Sequence, residues 1–89
     1  MEVKYRRAFL KDLKRLRGTP VYQQIYDLAF TTLIEVDTLQ EVPNIKALRG
    51  TSHRYRVRLG NYRVGLEVKG NEVEVMRVLH RREFYRYFP

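Results

Sequence analysis

Residues 54–69, which read RYRVRLGNYRVGLEVK, decide the fold of this chain. Aromatic and aliphatic residues alternate there with arginine on both sides of Gly60-Asn61, and a period of two is typical of a strand with one buried face. Gly-Asn is a turn dipeptide that joins antiparallel strands through a two-residue loop. A second Gly-Asn at positions 70 and 71 leads into another apolar run. We therefore predict a three-stranded antiparallel meander over residues 53–79.

Counting residues outward from the two turns predicts which side chains share a face of the sheet. Arg58 should lie opposite Arg63, and Gly65 should lie between Arg56 on one neighbouring strand and Met76 on the other. We call the sheet face that carries Arg56, Arg58 and Arg63 the arginine face. Its other expected members are Arg54, Gly65, Met76, Val78 and His80. The opposite face should turn toward the helices, and its expected members are Tyr55, Val57, Leu59, Tyr62, Val64, Leu66, Val73, Val75, Leu79 and, as the one charged residue, Arg77.

The first half of the chain has helical spacing instead. Apolar residues recur every three or four positions over residues 6–17, between lysines and arginines, which predicts an amphipathic helix that ends at Gly18. A second helix is predicted to follow, with Thr19 as its cap and Pro20 at its first position. Its apolar positions keep helical spacing as far as Val36. Two helices in succession predict a helical hairpin.

The remaining segments complete the predicted fold. Residues 38–52 have no periodicity and are expected to form a loop, whereas residues 2–5 are expected to add an edge strand. The aromatic and basic residues 84–88 are expected to form a short C-terminal helix or tail. We predict a single α+β domain over residues 1–89, in which an N-terminal helical hairpin packs on one face of a mainly antiparallel sheet of three to four strands. The arginine face is expected to be left open.

Composition narrows the functional classes. Eighteen basic and 10 acidic residues among 89 give a net charge of +8, which attracts polyanions and makes nucleic acid the leading partner class. An acidic protein partner, or a basic surface that only confers solubility, is the alternative. The chain has no cysteine and two histidines, so we expect no metal and no cofactor. Without a signal peptide or a long apolar run, we expect a cytoplasmic protein with no membrane association.

The arginine face is the candidate site. Like charges directly opposite each other on adjacent strands destabilise a sheet, so Arg58 facing Arg63 beside Arg56 is unfavourable unless an anion is bound. Guanidinium groups form paired hydrogen bonds with phosphate and favour the extra charge of a pentacovalent transition state. Gly65 lacks a side chain and is expected to leave a shallow floor for a base or sugar, or else to mark a bulge. A solvated strand face is the alternative interpretation of Arg54, Arg56 and Arg58.

The segment after the last strand brings acid, base and stacking groups to one edge. His80 titrates near neutral pH and suits either proton role in the cleavage of RNA by its own 2'-hydroxyl, although a structural histidine fits equally well. Tyr85 is predicted to stack on a base or to donate a phenol proton. Arg81 and Arg82 add positive charge beside it. Phe84, Tyr87 and Phe88 are expected to be core or docking residues instead.

Three motifs, in the order in which they occur along the chain, resemble those of RelE-type toxins. They are KALRG at residues 46–50, YRVRLGNYRV at residues 55–64 and RVLHRREFY at residues 77–85, and the resemblance covers essentially the whole chain. It implies a bacterial or archaeal ribonuclease that uses no metal and cuts mRNA in the ribosomal A site, next to 16S rRNA. It also implies a cognate antitoxin that holds the toxin inactive.

The resemblance also assigns roles to residues. By this resemblance, Arg56 and Arg58 correspond to the basic residues of the family's first hairpin strand, and Arg63 corresponds to its phosphate-stabilising arginine. Arg81 or Arg82 corresponds to the C-terminal basic residue of the family, and Tyr85 corresponds to its tyrosine. Lys46 and Arg49 of the first motif are expected to bind RNA. This chain has arginines where some relatives have lysines, and a His80 that some relatives lack, so the general acid and base are left open. A ParE-like inhibitor of DNA gyrase and a non-catalytic RNA-binding module are the alternative functions.

Overall fold

The sheet forms the centre of the computed structural model, which describes residues 1–88. Its strands are β1 (Glu2–Tyr5), β2 (Ile45–Ala47), β3 (Arg54–Leu59), β4 (Tyr62–Lys69) and β5 (Glu72–His80). Their order across the sheet is β1-β5-β4-β3-β2, with β1 parallel to β5 and the other pairs antiparallel. The last strand of the chain is therefore an interior strand of the sheet.

Three helices lie between β1 and β2, and a fourth follows β5. They are α1 (Arg7–Arg15), α2 (Tyr22–Asp27), α3 (Leu33–Glu35) and α4 (Arg81–Tyr87). A π-helical turn, Leu28–Thr32, connects α2 to α3, and a 3-10 turn, Leu39–Glu41, follows α3. Within residues 1–88, no helix is long and apolar enough to cross a bilayer.

The α+β class and the meander are confirmed. Both Gly-Asn turns have two residues, and residues 2–5 do form an edge strand. The predicted sheet of three to four mainly antiparallel strands is wrong in detail, because the sheet has five strands and is mixed. The additional strand, Ile45–Ala47, lies inside the segment predicted to be a loop and pairs with the free edge of β3.

The helical hairpin is correct in outline and wrong at its second helix. The hydroxyl of Thr19 donates to the carbonyl of Leu16 at 2.7 Å, so this residue closes the first helix instead of capping the next one. The second helical segment begins at Tyr22 and is interrupted by the π-helical turn before it ends at Glu35. Gly18, at φ 87°, ends the first helical region as predicted.

A β-bulge in β5 changes the predicted register. Leu66 pairs with Val75 as counted, but Gly65 pairs with Arg77, so Met76 is an extra residue. Beyond the bulge each side chain moves to the other face of the sheet. The predicted faces of Val78, Leu79 and His80 are therefore wrong, and Arg77 is no longer a charged residue in the core.

Asp12 of α1 explains the bulge. β1 ends at Tyr5, so β5 has no strand neighbour on that side after Val75. The Asp12 carboxylate takes the place of a strand, because it accepts the Val78 N–H at 3.1 Å and two bonds from the Arg77 guanidinium at 2.7 and 3.0 Å. This satisfies a backbone donor that would otherwise be buried without a partner.

The core has two parts, one on each face of the sheet. The main core lies between the sheet and the helices α1 to α3, and its buried members are Phe9, Leu13, Ile25, Leu28, Ala29, Leu33, Val42, Val57, Val64, Leu66, Val73, Val75 and Val78. A smaller core of Met76, Phe84 and Phe88 lies under α4, with Leu48 and Leu79 packed against it. Helix α4 therefore covers part of the arginine face, which was expected to be open.

Candidate nucleic-acid interface

Sheet register places the cations of the arginine face in two rows. Arg58 lies directly opposite Arg63, as the sequence predicted. The next row runs from Lys46 through Arg56 to Gly65. Side chains in such rows are close enough to interact directly, so four cations share a small area. The structure thus confirms the arrangement of the arginines, while their roles stay a prediction.

Arg63 is the most constrained of these cations. Its Nη1 donates to the carbonyls of Gly60 and Tyr62, both at 3.0 Å, which fixes the guanidinium over the β3–β4 turn. Burial lowers the pKa of Arg63, and the charges of Arg56 and Arg58 lower it further. Tyr85 acts in the opposite direction, first through its electrostatic attraction for the guanidinium and then through hydrogen bonding, and both raise the pKa of Arg63. A bound phosphate would relieve the repulsion.

An open pocket adjoins the second row. It has a volume of about 300 Å³, and its lining residues are Lys46, Ala47, Leu48, Arg49, Arg56 and Tyr85. Arg56 is held at its wall because Nη1 donates to the carbonyl of Asn44 at 3.0 Å. Basic groups around an apolar floor and one aromatic ring suit a nucleotide, whose phosphate and base need these two environments. The pocket brings together four of the predicted site residues.

Tyr85 reaches the arginines because of how α4 is anchored. Phe84 and Phe88 are buried in the small core, whereas Tyr85 is 56% exposed. The Tyr85 ring meets the edge of Phe84 with centroids 5.0 Å apart and an interplanar angle of 86°. The phenol thus stands out from the helix beside Arg63 and Arg56.

Arg81 and Arg82 lie at the start of α4 and are exposed. The backbone N–H of Arg81 donates to the carbonyl of Asn61 at 2.8 Å, which brings the helix start to the β3–β4 turn near Arg63. Because Tyr85 follows these arginines by four and three residues, helical spacing places all three on neighbouring positions of the helix surface. A nucleic acid lying along the turn and α4 would meet both arginines.

His80 does not lie on the arginine face, so that prediction is wrong. The bulge pairs it with Tyr62, whose ring contacts the imidazole edge-on with centroids 5.4 Å apart. Its Nδ1 accepts the backbone N–H of Arg82 at 3.2 Å, which caps α4. The structural alternative for this histidine fits these contacts better than a proton-transfer role beside Arg63 does.

Arg54 is on the predicted face but apart from the other arginines. Its Nε lies 3.4 Å from a carboxylate oxygen of Glu67, and its guanidinium lies 4.8 Å from the centre of the Phe88 ring. Phe88 itself covers Gly65, so the expected open floor at this glycine is wrong. The predicted contact of Arg54 with RNA stays a prediction, and its guanidinium packs on the Phe88 ring that follows α4.

Sequence reasoning missed the apolar part of the pocket. Ala47 and Leu48 line it next to Lys46 and Arg49, and Leu48 also packs against the small core. The signal was present in residues 46–50, where the apolar pair stands between the two cations. The sequence predicts a loop here because a strand of three residues is too short to show alternation.

A larger pocket of about 430 Å³ lies near the free edge of β2, but Lys46 and Asp37 are its charged lining residues and no aromatic–arginine pair is present there. Among residues 1–88, no three His, Cys, Asp or Glu side chains come together as a metal site would require. The pocket beside Tyr85 on the arginine face combines positive charge, a concave shape and an exposed aromatic ring.

Comparison with known proteins identifies the class to which this fold and this face belong. Residues 3–85 match the family described as the ParE toxin of the type II toxin–antitoxin system parDE. Over 90 aligned residues, covering 100% of both chains, the sequence is 37% identical to toxin RelE3 of Methanocaldococcus jannaschii. The chain therefore belongs to the RelE/ParE superfamily of toxins from type II toxin–antitoxin systems.

Solved structures agree with this assignment. The toxin chain of the RelB-RelE antitoxin-toxin complex from Methanococcus jannaschii is similar with a TM-score of 0.79 and 34% identity, covering 97% of this chain and 99% of that one. YafQ from E. coli is similar with a TM-score of 0.70 at 14% identity, covering 94% of this chain and 97% of that one, which is a likeness of fold. The resemblance inferred from the three sequence motifs is thus confirmed.

Proposed function

We propose that this toxin is a metal-independent endoribonuclease that cleaves mRNA. The observation that carries the proposal is the convergence of Arg56, Arg58 and Arg63 with the phenol of Tyr85 on the part of the arginine face that α4 leaves uncovered. Four cations on a small area favour a phosphodiester, and a neighbouring aromatic ring favours a single-stranded base. A 2'-hydroxyl is present in the substrate, so the nucleophile need not come from the protein.

The geometry supports a simple sequence of bond changes. The 2'-oxygen bonds to phosphorus while the bond from phosphorus to the 5'-oxygen breaks, which leaves a cyclic phosphate and a 5'-hydroxyl. Arg63 and Arg58 stabilise the extra negative charge of the pentacovalent transition state. Water takes the proton of the 2'-hydroxyl, and the Tyr85 hydroxyl, held beside Arg63, donates a proton to the leaving 5'-oxygen. His80 has no part in this sequence because it lies on the other side of the sheet.

Substrate binding would use the surrounding cations. Lys46, Arg49 and Arg56 border the pocket that receives a nucleotide, and Arg81 and Arg82 extend the positive surface along α4. The proposed substrate is mRNA in the ribosomal A site, next to 16S rRNA, as the resemblance to RelE toxins implies. Sequence identity of 37% to a RelE toxin over the full length of both chains supports this choice.

A cognate antitoxin is the proposed regulatory partner. The similar toxin of known structure was solved in complex with an antitoxin. The net charge of +8 favours an acidic or amphipathic segment, which would wrap the helices or cover the arginine face. The site proposed for RNA and the surface proposed for the antitoxin would then compete.

Inhibition of DNA gyrase is the second candidate function. It is favoured by the match of residues 3–85 to the ParE toxin family. ParE-type toxins resemble this chain in fold, but they tend to lack the full set of arginines and the tyrosine. Retention of Arg58, Arg63 and Tyr85 is the reason that ribonuclease activity is preferred here.

The decisive experiment replaces Arg63 by alanine. We expect Arg63→Ala to cut mRNA about 100- to 1000-fold more slowly than wild type, the loss seen when one transition-state donor is removed. The measurement is the rate at which new RNA 5' ends appear. It is made once in a translating extract and once with the same RNA in the absence of ribosomes. The matched control is Arg17→Ala, an exposed arginine beyond the end of α1, which should cleave at the wild-type rate.

The outcomes separate the candidate functions. A substrate with a 2'-O-methyl group at the cut position should stay intact with every variant, because the nucleophile is blocked. Cleavage by Arg63→Ala within a few-fold of wild type would contradict the proposed site. If the wild-type toxin alters DNA supercoiling and produces no new RNA ends, gyrase inhibition replaces the ribonuclease proposal.

A further inference from the structure

Gly65 is a glycine in the middle of a strand, where a side chain would normally pack. It lies in β4 between Arg56 of β3 and Arg77 of β5. Its φ is not among the positive values that Gly18, Gly50, Gly60 and Gly70 adopt. Backbone conformation therefore does not require glycine at this position, so the reason lies in the space above it.

That space is filled by Phe88. A β-carbon added to Gly65 would lie 2.8 Å from both Cδ2 and Cε2 of the Phe88 ring and 3.0 Å from its Cγ. These distances are well below ordinary van der Waals contact, and the ring is 2% exposed. The absent side chain is thus a notch in the sheet, and the ring of Phe88 is seated in it.

The seated ring fixes the last turn of α4. The ring of Phe88 lies 5.2 Å from that of Phe84, its N–H donates to the Phe84 carbonyl at 2.8 Å, and Arg54 covers it at 4.8 Å. Helix α4 has only seven residues, too few to be stable without tertiary packing. Phe84 and Phe88 are its buried anchors, and Tyr85 lies between them in sequence.

Tyr85 takes its position from these anchors. More than half of its side chain is exposed, and its own ring packs only against the edge of Phe84 among the aromatic contacts of residues 1–88. Tyr85 nevertheless lines the pocket beside Arg56, and it is near enough to Arg63 to raise the pKa of that guanidinium. Any shift of the last turn of α4 would therefore move the phenol relative to the phosphate site, and a displacement of about 1 Å can lower a rate about 100-fold.

We propose that Gly65 is a positioning residue, whose missing side chain seats Phe88 and thereby holds Tyr85 against Arg63. The inference rests on the proposed function for its effect on cleavage. It acts through α4 and does not require Gly65 to touch RNA. The same notch explains why the arginine face carries no open floor at this strand.

Three variants and a control test whether the packing of Phe88 on Gly65 positions Tyr85. Gly65→Ala adds the obstructing carbon, and Phe88→Ala removes the ring without changing the sheet. The double variant Gly65→Ala/Phe88→Leu roughly conserves the combined side-chain volume, so it should restore the packing. Val73→Ala, in the main core on the opposite face, lowers stability without touching α4 and is the control.

Kinetics and NMR give separate measurements. We expect Gly65→Ala and Phe88→Ala to lose about tenfold or more in kcat, with KM for RNA within about threefold of wild type, because misplacement of one group affects the reacting geometry most. The double variant should recover to within about threefold of wild type, and Val73→Ala should keep wild-type kcat below its unfolding temperature. The protection of amides 84–88 from hydrogen exchange should be lost in the single variants and regained in the double variant. The contact between the Tyr85 ring and Arg63, seen as a nuclear Overhauser effect, should be lost and regained in parallel.

The two measurements distinguish failure of this inference from failure of the proposed function. If the wild-type toxin does not cleave RNA, the nuclear Overhauser effect between Tyr85 and Arg63 still shows whether Tyr85 is held in place. Its persistence in Gly65→Ala would overturn the inference. If Gly65→Ala cleaves like wild type although α4 exchanges faster, the positioning role is overturned while the ribonuclease stands. Failure of the double variant to recover either measurement would also overturn it.

Discussion

Asp12 shows how one buried carboxylate determines the geometry of a strand. It is 4% exposed and receives bonds from Arg77 Nε at 2.7 Å, Arg77 Nη2 at 3.0 Å and the Val78 N–H at 3.1 Å. The hydrogen bond to Asp12 raises the pKa of Arg77, although burial acts in the opposite direction. The pair thus joins α1 to the bulge, on which the faces of the following residues depend.

Replacing Asp12 by asparagine should be strongly destabilising. Asp12→Asn leaves Arg77 half-buried without its counter-charge, so we expect the free energy of unfolding to fall by about 2 to 4 kcal/mol. Urea denaturation at neutral pH measures this loss. Asp27→Asn is the matched control, because Asp27 is exposed and accepts a hydrogen bond from the side chain of Gln23 within α2. If both variants lose the same stability, the bulge does not depend on this carboxylate.

At this scale the sequence predicted the register correctly from each turn as far as Gly65, including the pairs Lys69–Glu72 and Glu67–Glu74 that follow the second turn. Two-residue turns allow counting, and every pair from Leu59–Tyr62 to Arg56–Gly65 agrees with the structure. One extra residue in β5 then reverses the faces, and only Arg77 signalled it, as a charge assigned to the core. The partner that makes the bulge favourable is 65 residues away in sequence, so no local pattern contains it.

At the scale of elements, the interrupted second helix is tied to the sheet by Tyr5. Its hydroxyl donates to the carbonyl of Ala29 at 2.7 Å, within the π-helical turn Leu28–Thr32. Its ring lies 4.6 Å from that of Phe30. A π-helical turn changes the hydrogen-bonding pattern of a helix, and a side chain that donates to one of its carbonyls stabilises that conformation.

This contact should be visible in the pH dependence of stability. Burial raises the pKa of Tyr5, so the folded state favours the protonated phenol. Its contribution is fully present below about pH 10, the unfolded pKa, and is lost as pH rises through the higher folded pKa. We expect Tyr5→Phe to lower the free energy of unfolding by about 1 kcal/mol at pH 7. The difference from wild type should stay constant up to about pH 10 and shrink as the pH rises above that value. A difference that stays constant above that pH would contradict the assignment.

The elements that the sequence predicted well are those with long periodic patterns. The alternation in residues 54–69 and the helical spacing in residues 6–17 each extend over several turns or pairs, and both elements are present. Strand β2 has three residues and exists because β3 offers it a free edge. The small core under α4 was missed because it depends on Gly65, a residue whose absence of side chain has meaning only once the tertiary neighbour is known.

For the whole molecule, the distribution of ion pairs concentrates positive charge at one end of the sheet. Lys4 pairs with Glu72 at 3.2 Å, Arg6 with Glu74 at 3.4 Å and Arg54 with Glu67 at 3.4 Å. These carboxylates lie on β4 and β5, in the half of the sheet next to β1 and the second turn. The half that carries Arg58 and Arg63 has cations in facing positions instead. Net charge alone could predict a polyanion partner but not this asymmetry.

Binding of RNA should therefore depend strongly on salt. For single-stranded nucleic acid the logarithm of affinity falls with the logarithm of salt concentration by about 0.7 per neutralised phosphate. Arg56→Ala should weaken binding and reduce this slope by about that amount, because one phosphate contact is lost. The measurement is fluorescence anisotropy of a labelled 2'-O-methyl oligonucleotide at several potassium chloride concentrations. Lys11→Ala, on the exposed side of α1, should leave the slope unchanged; an equal effect of both changes would show that charge acts without a defined site.

The position of β5 has a consequence for synthesis of the toxin. This strand lies between β1 and β4, yet it is the last of the five to leave the ribosome. Until it emerges, β1 has no partner, and the hairpin of β3 and β4 presents an unpaired edge. Helix α4, which carries Tyr85, follows β5 and needs Gly65 and Met76 beneath it. The face that carries Arg58, Arg63 and Tyr85 is therefore assembled only after translation has passed the final strand.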